Sequence, residues 1–310
     1  RFVERIETTR EGQVVHWTTG GRCLCPADDL PHELDQPPLS LDEVNPETLF
    51  YEDPHTLGGL KSPFYYDLEP YAASGEDLFP PYLTALLEGV LARVGGRLSV
   101  HGEVFSPFTQ LMERLGYQEG LMALLTAPDK CHAMLRRFAE GARALARRQA
   151  ACGVDAVLIS SAFAGGGFIS RAMYEQFVLP YERLVVDGIH EAGVKAYTHT
   201  CGAIGDRLEL MQATGIDGID TMDPPPLGDT DLGDAKQRVG DRLFLKGNLD
   251  SVNVLLRGTV EQCRQSARAC LRAAKAGGGY LLSSACSVAP HVPPENLLAL
   301  REVVEAEGWY

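Results

Sequence analysis

His199, Cys201 and Cys286 are the residues of this 310-residue chain whose types and spacing point to chemistry. His199 and Cys201 close a short run from Val194 that reads as a buried strand. In an extended chain, residues i and i+2 project to the same side, so one imidazole and one sulfur address the same point. Cys286 lies eighty-five positions beyond Cys201, just past a second strand-like run, Gly279–Ser284, and is placed to bring a third ligand from a neighbouring strand end. Three protein ligands with one position open is the pattern of catalytic zinc, whereas structural zinc is generally closed by four. Spacing alone leaves a second reading open. Cysteine is among the most buried residue types, and a lone His-x-Cys also serves plain packing.

The elements that must position these residues form a repeating series. Strand-like runs fall at 97–103, 155–160, 194–199, 217–221, 242–247 and 279–284. Helical patterns fall around 106–126, 128–152, 170–192, 204–213, 231–239, 259–276 and 294–307. The run Asp155–Ser160 is almost continuously apolar, as expected of a parallel strand covered on both faces. This alternation predicts a parallel α/β fold. Polar residues collect just past the strands: Glu103, Ser160, Ser161, His199, Cys201, Asp223, Asn248 and Cys286. In a (β/α)8 barrel that edge is the active face. No G-x-G-x-x-G follows a strand, which argues against a dinucleotide-binding open sheet. The expected architecture is a TIM-like (β/α)8 barrel in one domain, 1–310, with residues 1–80 as an N-terminal extension covering or flanking it. Within that extension, Arg1–Thr19 reads as a hairpin turning at Glu11 and Gly12. The Pro- and acid-rich stretch from Cys25 to Pro38 reads as irregular surface chain.

Several other groups compete for a role. Glu103 shares a strand face with His101 and suits a substrate contact, a displaceable fourth zinc ligand or an ion-pair partner. Asp223, in the stiff Met222–Pro226 loop, suits a substrate contact or a helix cap, and Asn248 is a further substrate-side candidate. Cys23 and Cys25 read as loop thiols without a second ligand pair at finger spacing. Gly165–Gly167 reads as a mobile loop before an anion nest. His101 is expected as a core histidine with a satisfied ring, His132 and His190 as surface residues, and Cys263 and Cys270 as one buried helix face. No Ser sits in a G-x-S-x-G elbow, so a Ser-His-Asp triad is not supported.

Composition narrows the partners. A net charge of −14 argues against nucleic acid or an anionic membrane. Hydrophobic residues make up 45% of the chain, enough for one large core. Its eight cysteines are dispersed, with no compact disulfide framework, which points to a reducing, cytoplasmic setting. No apolar run approaches the length of a membrane span. The chain opens at Arg1, not Met, without a signal-peptide core, which leaves room for preceding residues.

From about residue 97 onward, a set of ordered phrases resembles the uroporphyrinogen decarboxylase superfamily. They are Gly102–Thr109; Ile169 and Ser170 with Tyr174, Pro180 and Tyr181; His199–Gly202; and Gly215–Ile219. Leu245–Asp250 with Leu255–Gly258 follows, then Gly279–Ser283 with Pro290 and Pro293–Asn296. The resemblance covers about two thirds of the chain and implies a (β/α)8 barrel with its site at the C-terminal strand ends. Decarboxylases of this superfamily carry an Arg-rich N-terminal phrase for the substrate carboxylates and an Asp early in the barrel; neither phrase is found in residues 1–100 here. The other branch, the corrinoid-dependent methyltransferases, is similar at the His-x-Cys and the late Cys. That similarity implies zinc at His199, Cys201 and Cys286 and a corrinoid (cobalamin), supplied by a partner protein or free.

The activity so implied is methyl transfer between the corrinoid protein and a small-molecule donor or acceptor. Two thiolates and one imidazole bring Zn²⁺ close to neutrality, a soft site suited to a thiolate as fourth ligand. Zinc holds an incoming thiol ionised, ready to take a methyl group from Co(III) and leave Co(I). In the opposite sense it assists methyl departure from a methoxy compound or amine. A porphyrin-pathway decarboxylase is the alternative, and a non-enzymatic barrel acting as a binding module is the second alternative.

Overall fold

Strand-forming sequence falls into two separate sheets. The computed structural model describes residues 3–18, 20–26, 32–35, 40–49 and 84–309; residues 27–31 and 36–38 of the Pro- and acid-rich stretch lie outside them. The first sheet is antiparallel, in the order β1 (Val3–Thr8), β2 (Gln13–Trp17), β3 (Gly21–Cys25) and β4 (His32–Glu33). The expected hairpin is β1 and β2, with Thr8 opposite Gln13 across the Thr9–Gly12 turn. The segment after it departs from expectation. Cys23 and Cys25 are not loop thiols but belong to β3, which pairs with β2 on one side and β4 on the other. Val15, Trp17 and Cys23 bury a small apolar cluster of their own, which draws this segment into the sheet.

The second sheet is parallel and carries the site. Its order is β10 (Tyr280–Ser284), β9 (Phe244–Leu249), β8 (Gly218–Thr221), β7 (Lys195–Thr200), β6 (Ala156–Ser160) and β5 (His101–Phe105). Spatial order therefore follows chain order, and each strand returns to the same end through helices. This is the (β/α) winding of a TIM-like barrel, as expected. Six parallel strands lie within the described residues, and the count of eight is not completed there. β6 and β8 are buried almost throughout, as strands covered on both faces must be.

The helices follow the apolar periodicity, with two corrections. The single helix expected over 106–126 is two, α2 (Pro107–Leu115) and α3 (Tyr117–Thr126), after α1 (Ala85–Val94). Gly116 between them has φ +77°, outside the right-handed helical region and tolerated because glycine has no Cβ. The helix expected over 170–192 is likewise two, α5 (Arg171–Phe177) and α6 (Leu179–Glu191). Pro180 has no N–H to continue the first helix and instead sits in the first turn of the second. α4 (Pro128–Ala151) buries Cys131, Met134, Leu135, Phe138, Ala142 and Leu145, a stripe at helical spacing.

The remaining α-helices are α7 (Leu208–Ala213), α8 (Leu232–Val239), α9 (Val260–Ala274) and α10 (Pro294–Glu307). α9 opens with a reciprocal capping box between Thr259 and Gln262. Cys263 and Cys270 lie buried on it, as expected of a shared core face. No helix among the described residues is long and apolar enough to cross a membrane.

Candidate metal centre

The C-terminal ends of β7, β8, β9 and β10 converge on one point. His199 is the penultimate residue of β7, and Cys201 follows one residue after the strand ends. Cys286 lies two residues past β10, where the Ala285 N–H bonds to the Leu249 carbonyl and ties the exit of β10 to β9. His199 Nε2 stands 3.3 Å from Cys201 Sγ, and Cys201 Sγ stands 3.7 Å from Cys286 Sγ. One ligand atom from each of the three lies within 4.8 Å of the others. All three are half-buried.

These separations fit a metal. Zinc bonds of about 2.3 Å to sulfur and about 2.0 Å to nitrogen, at tetrahedral angles, put two sulfurs about 3.8 Å apart and sulfur and nitrogen about 3.5 Å apart. The donor set is soft, two sulfurs and an imidazole, and suits zinc better than a hard cation.

The electrostatics of the cluster favour charge on it. Cys201 and His199 both hydrogen-bond towards the Cys286 sulfur and hold that thiol well below its ordinary range. The cost falls on Cys201: sharing a proton with Cys286, and burial, push its thiol up. Burial alone would lower the imidazole of His199, yet the Asp220 carboxylate and the Cys286 sulfur raise it to about 9. A metal entering here displaces that proton, so binding and proton release are coupled.

Around the cluster the chain is fastened down. Asp223 is buried, and its Oδ2 accepts the Gly202 N–H at 2.7 Å, fixing the turn that carries Cys201. Burial raises the Asp223 carboxyl above its ordinary value. Asp223 thus holds the His-x-Cys-Gly turn and does not cap a helix. Asn248 is also buried, its amide donating to the carbonyls of Met222 and, more weakly, Thr230. Glu103 lies on β5 and is not among the residues that converge with the sulfurs.

Other expectations are corrected. The Gly165–Gly167 loop offers no open anion nest, because the Gly166 N–H is bonded to the Ala203 carbonyl, beside the turn that carries Cys201. His101 is exposed rather than core, although its ring is satisfied by Ser99 and Tyr197, each at 2.8 Å. His132 is half-buried, stacked on Phe177 and bonded to the Tyr181 hydroxyl. His190 is at the surface as expected, paired with Asp217.

Two residues escaped the sequence reading. Asp220 and Lys246 occupy the row across the sheet that runs Ser160, His199, Asp220, Lys246. Lys246 Nζ lies 2.8 Å from Asp220 Oδ2, and that oxygen lies 3.6 Å from His199 Nδ1. The signal was present. An acid inside the apolar strand 217–221 must be paired if buried, and a partner at the strand ends was the place to seek.

The structure thus combines parallel (β/α) winding with a cluster of two thiols and an imidazole at the C-terminal strand ends. The chain belongs to the uroporphyrinogen decarboxylase (URO-D) family, whose model matches residues 67–307. It is 28% identical to the methylcobamide:CoM methyltransferase MtbA of Methanosarcina acetivorans, over 68% of this chain and 59% of that protein. It is 30% identical to the uroporphyrinogen decarboxylase of Alkalilimnicola ehrlichii, over 72% of this chain and 61% of that protein. The chain thus spans about three fifths of the length of these relatives. In structure it resembles a methyltransferase from Methanosarcina mazei, with a TM-score of 0.70 and 18% identity, over 92% of this chain and 74% of that one. The fold is therefore shared, and the family includes both methyltransferases and decarboxylases.

Proposed function

We propose that this chain is a zinc-dependent methyltransferase that moves a methyl group between a corrinoid-bearing protein and a small thiol, methoxy compound or similar molecule. The observation that carries this reading is the convergence of His199, Cys201 and Cys286, half-buried, on one point. A decarboxylase has no evident use for two sulfurs and an imidazole held within bonding reach of one ion. Zinc, when bound, supplies a Lewis acid that keeps a thiol ionised or draws charge from a departing oxygen or nitrogen.

The chain's own residues do the rest. Two sulfurs and a neutral imidazole cancel most of the ion's charge, which favours exchange of the fourth ligand. Asp223 keeps the Cys201 turn in place through Gly202. Glu103, Asp223 and Asn248 are taken as the substrate side of the site, and residues 1–80 as an extension flanking the barrel. The separate apolar cluster of the N-terminal sheet supports that division for the sheet, whereas Val44 and Leu49 pack into the main core. Eight cysteines outside any disulfide suit a reducing compartment, the cytoplasm.

Charge weighs against the decarboxylase reading. No Arg-rich phrase precedes the barrel in residues 1–100, and burying substrate carboxylates unpaired costs several kcal/mol each. The test runs two assays on one preparation. With methylcobalamin, free or protein-bound, and a thiol acceptor, the methyl-Co(III) spectrum is expected to decay. With uroporphyrinogen, no coproporphyrinogen is expected. Coproporphyrinogen formation with an unchanged cobalamin spectrum reverses the reading. Silence in both favours a binding module.

A further inference from the structure

The two ring nitrogens of His199 face different partners. Nε2 faces the Cys201 sulfur, and Nδ1 faces Asp220 Oδ2 at 3.6 Å. That distance is longer than a hydrogen bond, so the geometry establishes the direction in which the carboxylate points, not a closed bond. Asp220 is only 5% exposed, and both its oxygens are held. The Thr221 N–H donates to Oδ1 at 2.8 Å, and the Lys246 ammonium donates to Oδ2 at 2.8 Å.

The backbone at this point is bent to suit. Thr221 has φ +81° and Met222 φ +58°, both in the left-handed region that a β-branched threonine rarely enters. The Thr221 hydroxyl donates to the Thr200 carbonyl at 2.8 Å, and Thr200 is the residue between His199 and Cys201. The strained turn is thus fastened to the same segment that presents both ligands. Strain of this kind persists only where the surroundings over-determine it. Here it aims the Thr221 N–H at the neighbouring carboxylate.

We propose that Asp220 is the positioning residue of the metal centre: clamped by Lys246 and the Thr221 N–H, it fixes the His199 ring so that Nε2 is presented to the metal. This rests on the zinc reading above. Metal-binding histidines almost always give their second nitrogen to a carboxylate, carbonyl or water, which sets tautomer and orientation. In this role Asp220 acts through His199.

The experiment is a double-mutant cycle read as zinc affinity, by chelator competition on the whole chain, with far-UV circular dichroism as the fold check. Wild type, Asp220→Asn, His199→Ala and the double variant are compared. Asp220→Asn is expected to raise the zinc Kd about 10- to 100-fold when His199 is present. In the His199→Ala background it is expected to change Kd by less than about 3-fold, because the partner it acts through is gone. If Asp220→Asn does not fold, Lys246→Met, which keeps the aliphatic stem, is expected to raise Kd in the same His199-dependent manner. An equal loss in both backgrounds, or no loss, overturns the positioning role while leaving the zinc reading in place. A wild type that binds no zinc overturns both.

Discussion

Gly165 packs against the backbone of Cys201 so closely that a Cβ on it would stand 2.3 Å from the Cys201 carbonyl oxygen. The loop after β6 is therefore a template for the turn after β7. Gly165→Ala is expected to push that turn away from Cys286, because backbone, unlike a side-chain tip, has nowhere to rotate. Zinc affinity is expected to fall at least about tenfold, while stability drops by about 1–3 kcal/mol, the range for overpacking. Chelator competition and urea denaturation measure the two. Unchanged zinc binding in a folded variant would show that the turn is not shaped by this contact.

Glu182 on α6 gives a pH prediction away from the metal. It is fully buried, accepts a hydrogen bond from the Tyr174 hydroxyl at 3.3 Å, and burial pushes its pKa up to about 7 from an ordinary 4.5. An acid raised on folding is destabilised in its charged form, so the folded state binds more protons between those values. Its effect is absent below about pH 4.5, grows as pH rises to about 7, and is constant above. Glu182→Gln is expected to be more stable than wild type at pH 8, by up to about 3 kcal/mol, with the gain shrinking towards pH 4.5. Parallel stability–pH curves for the two proteins would contradict this.

The sulfurs of Cys201 and Cys286, 3.7 Å apart, also make a redox prediction. After zinc is stripped with a chelator, mild oxidation with diamide is expected to join them as a disulfide. Two free thiols disappear, the mass falls by two hydrogens, and zinc rebinding is blocked until a reductant is added. Zinc-loaded protein is expected to be protected, because both sulfurs are engaged. Equal oxidation with and without zinc would argue that the metal is bound elsewhere.

The parts of this molecule legible in the sequence share one property: a local pattern reports them. The near-continuous apolar run ending at Ser160 marked a parallel strand, and the i, i+2 spacing of His199 and Cys201 marked their common side. Cys286 was legible because it follows a strand in a series whose ends must gather on one edge. Misreadings came where tertiary contact overrides local pattern. Cys23 and Cys25 looked like loop thiols because Pro26 follows, yet pairing with β2 makes them strand. Nothing local to Gly165–Gly167 shows the Ala203 carbonyl to which Gly166 is bonded. Asp220 and Lys246 went unnoticed because their pairing exists only across two strands.

The most direct test of the account is metal content. Protein prepared without chelator is expected to hold about one zinc per chain by elemental analysis, as one three-ligand site requires. A variant carrying Cys201→Ser and Cys286→Ser is expected to hold almost none while keeping its circular dichroism spectrum, because the barrel core lies below these strand ends. A wild type without stoichiometric transition metal, or a double variant that keeps its zinc, would contradict the assignment of this centre.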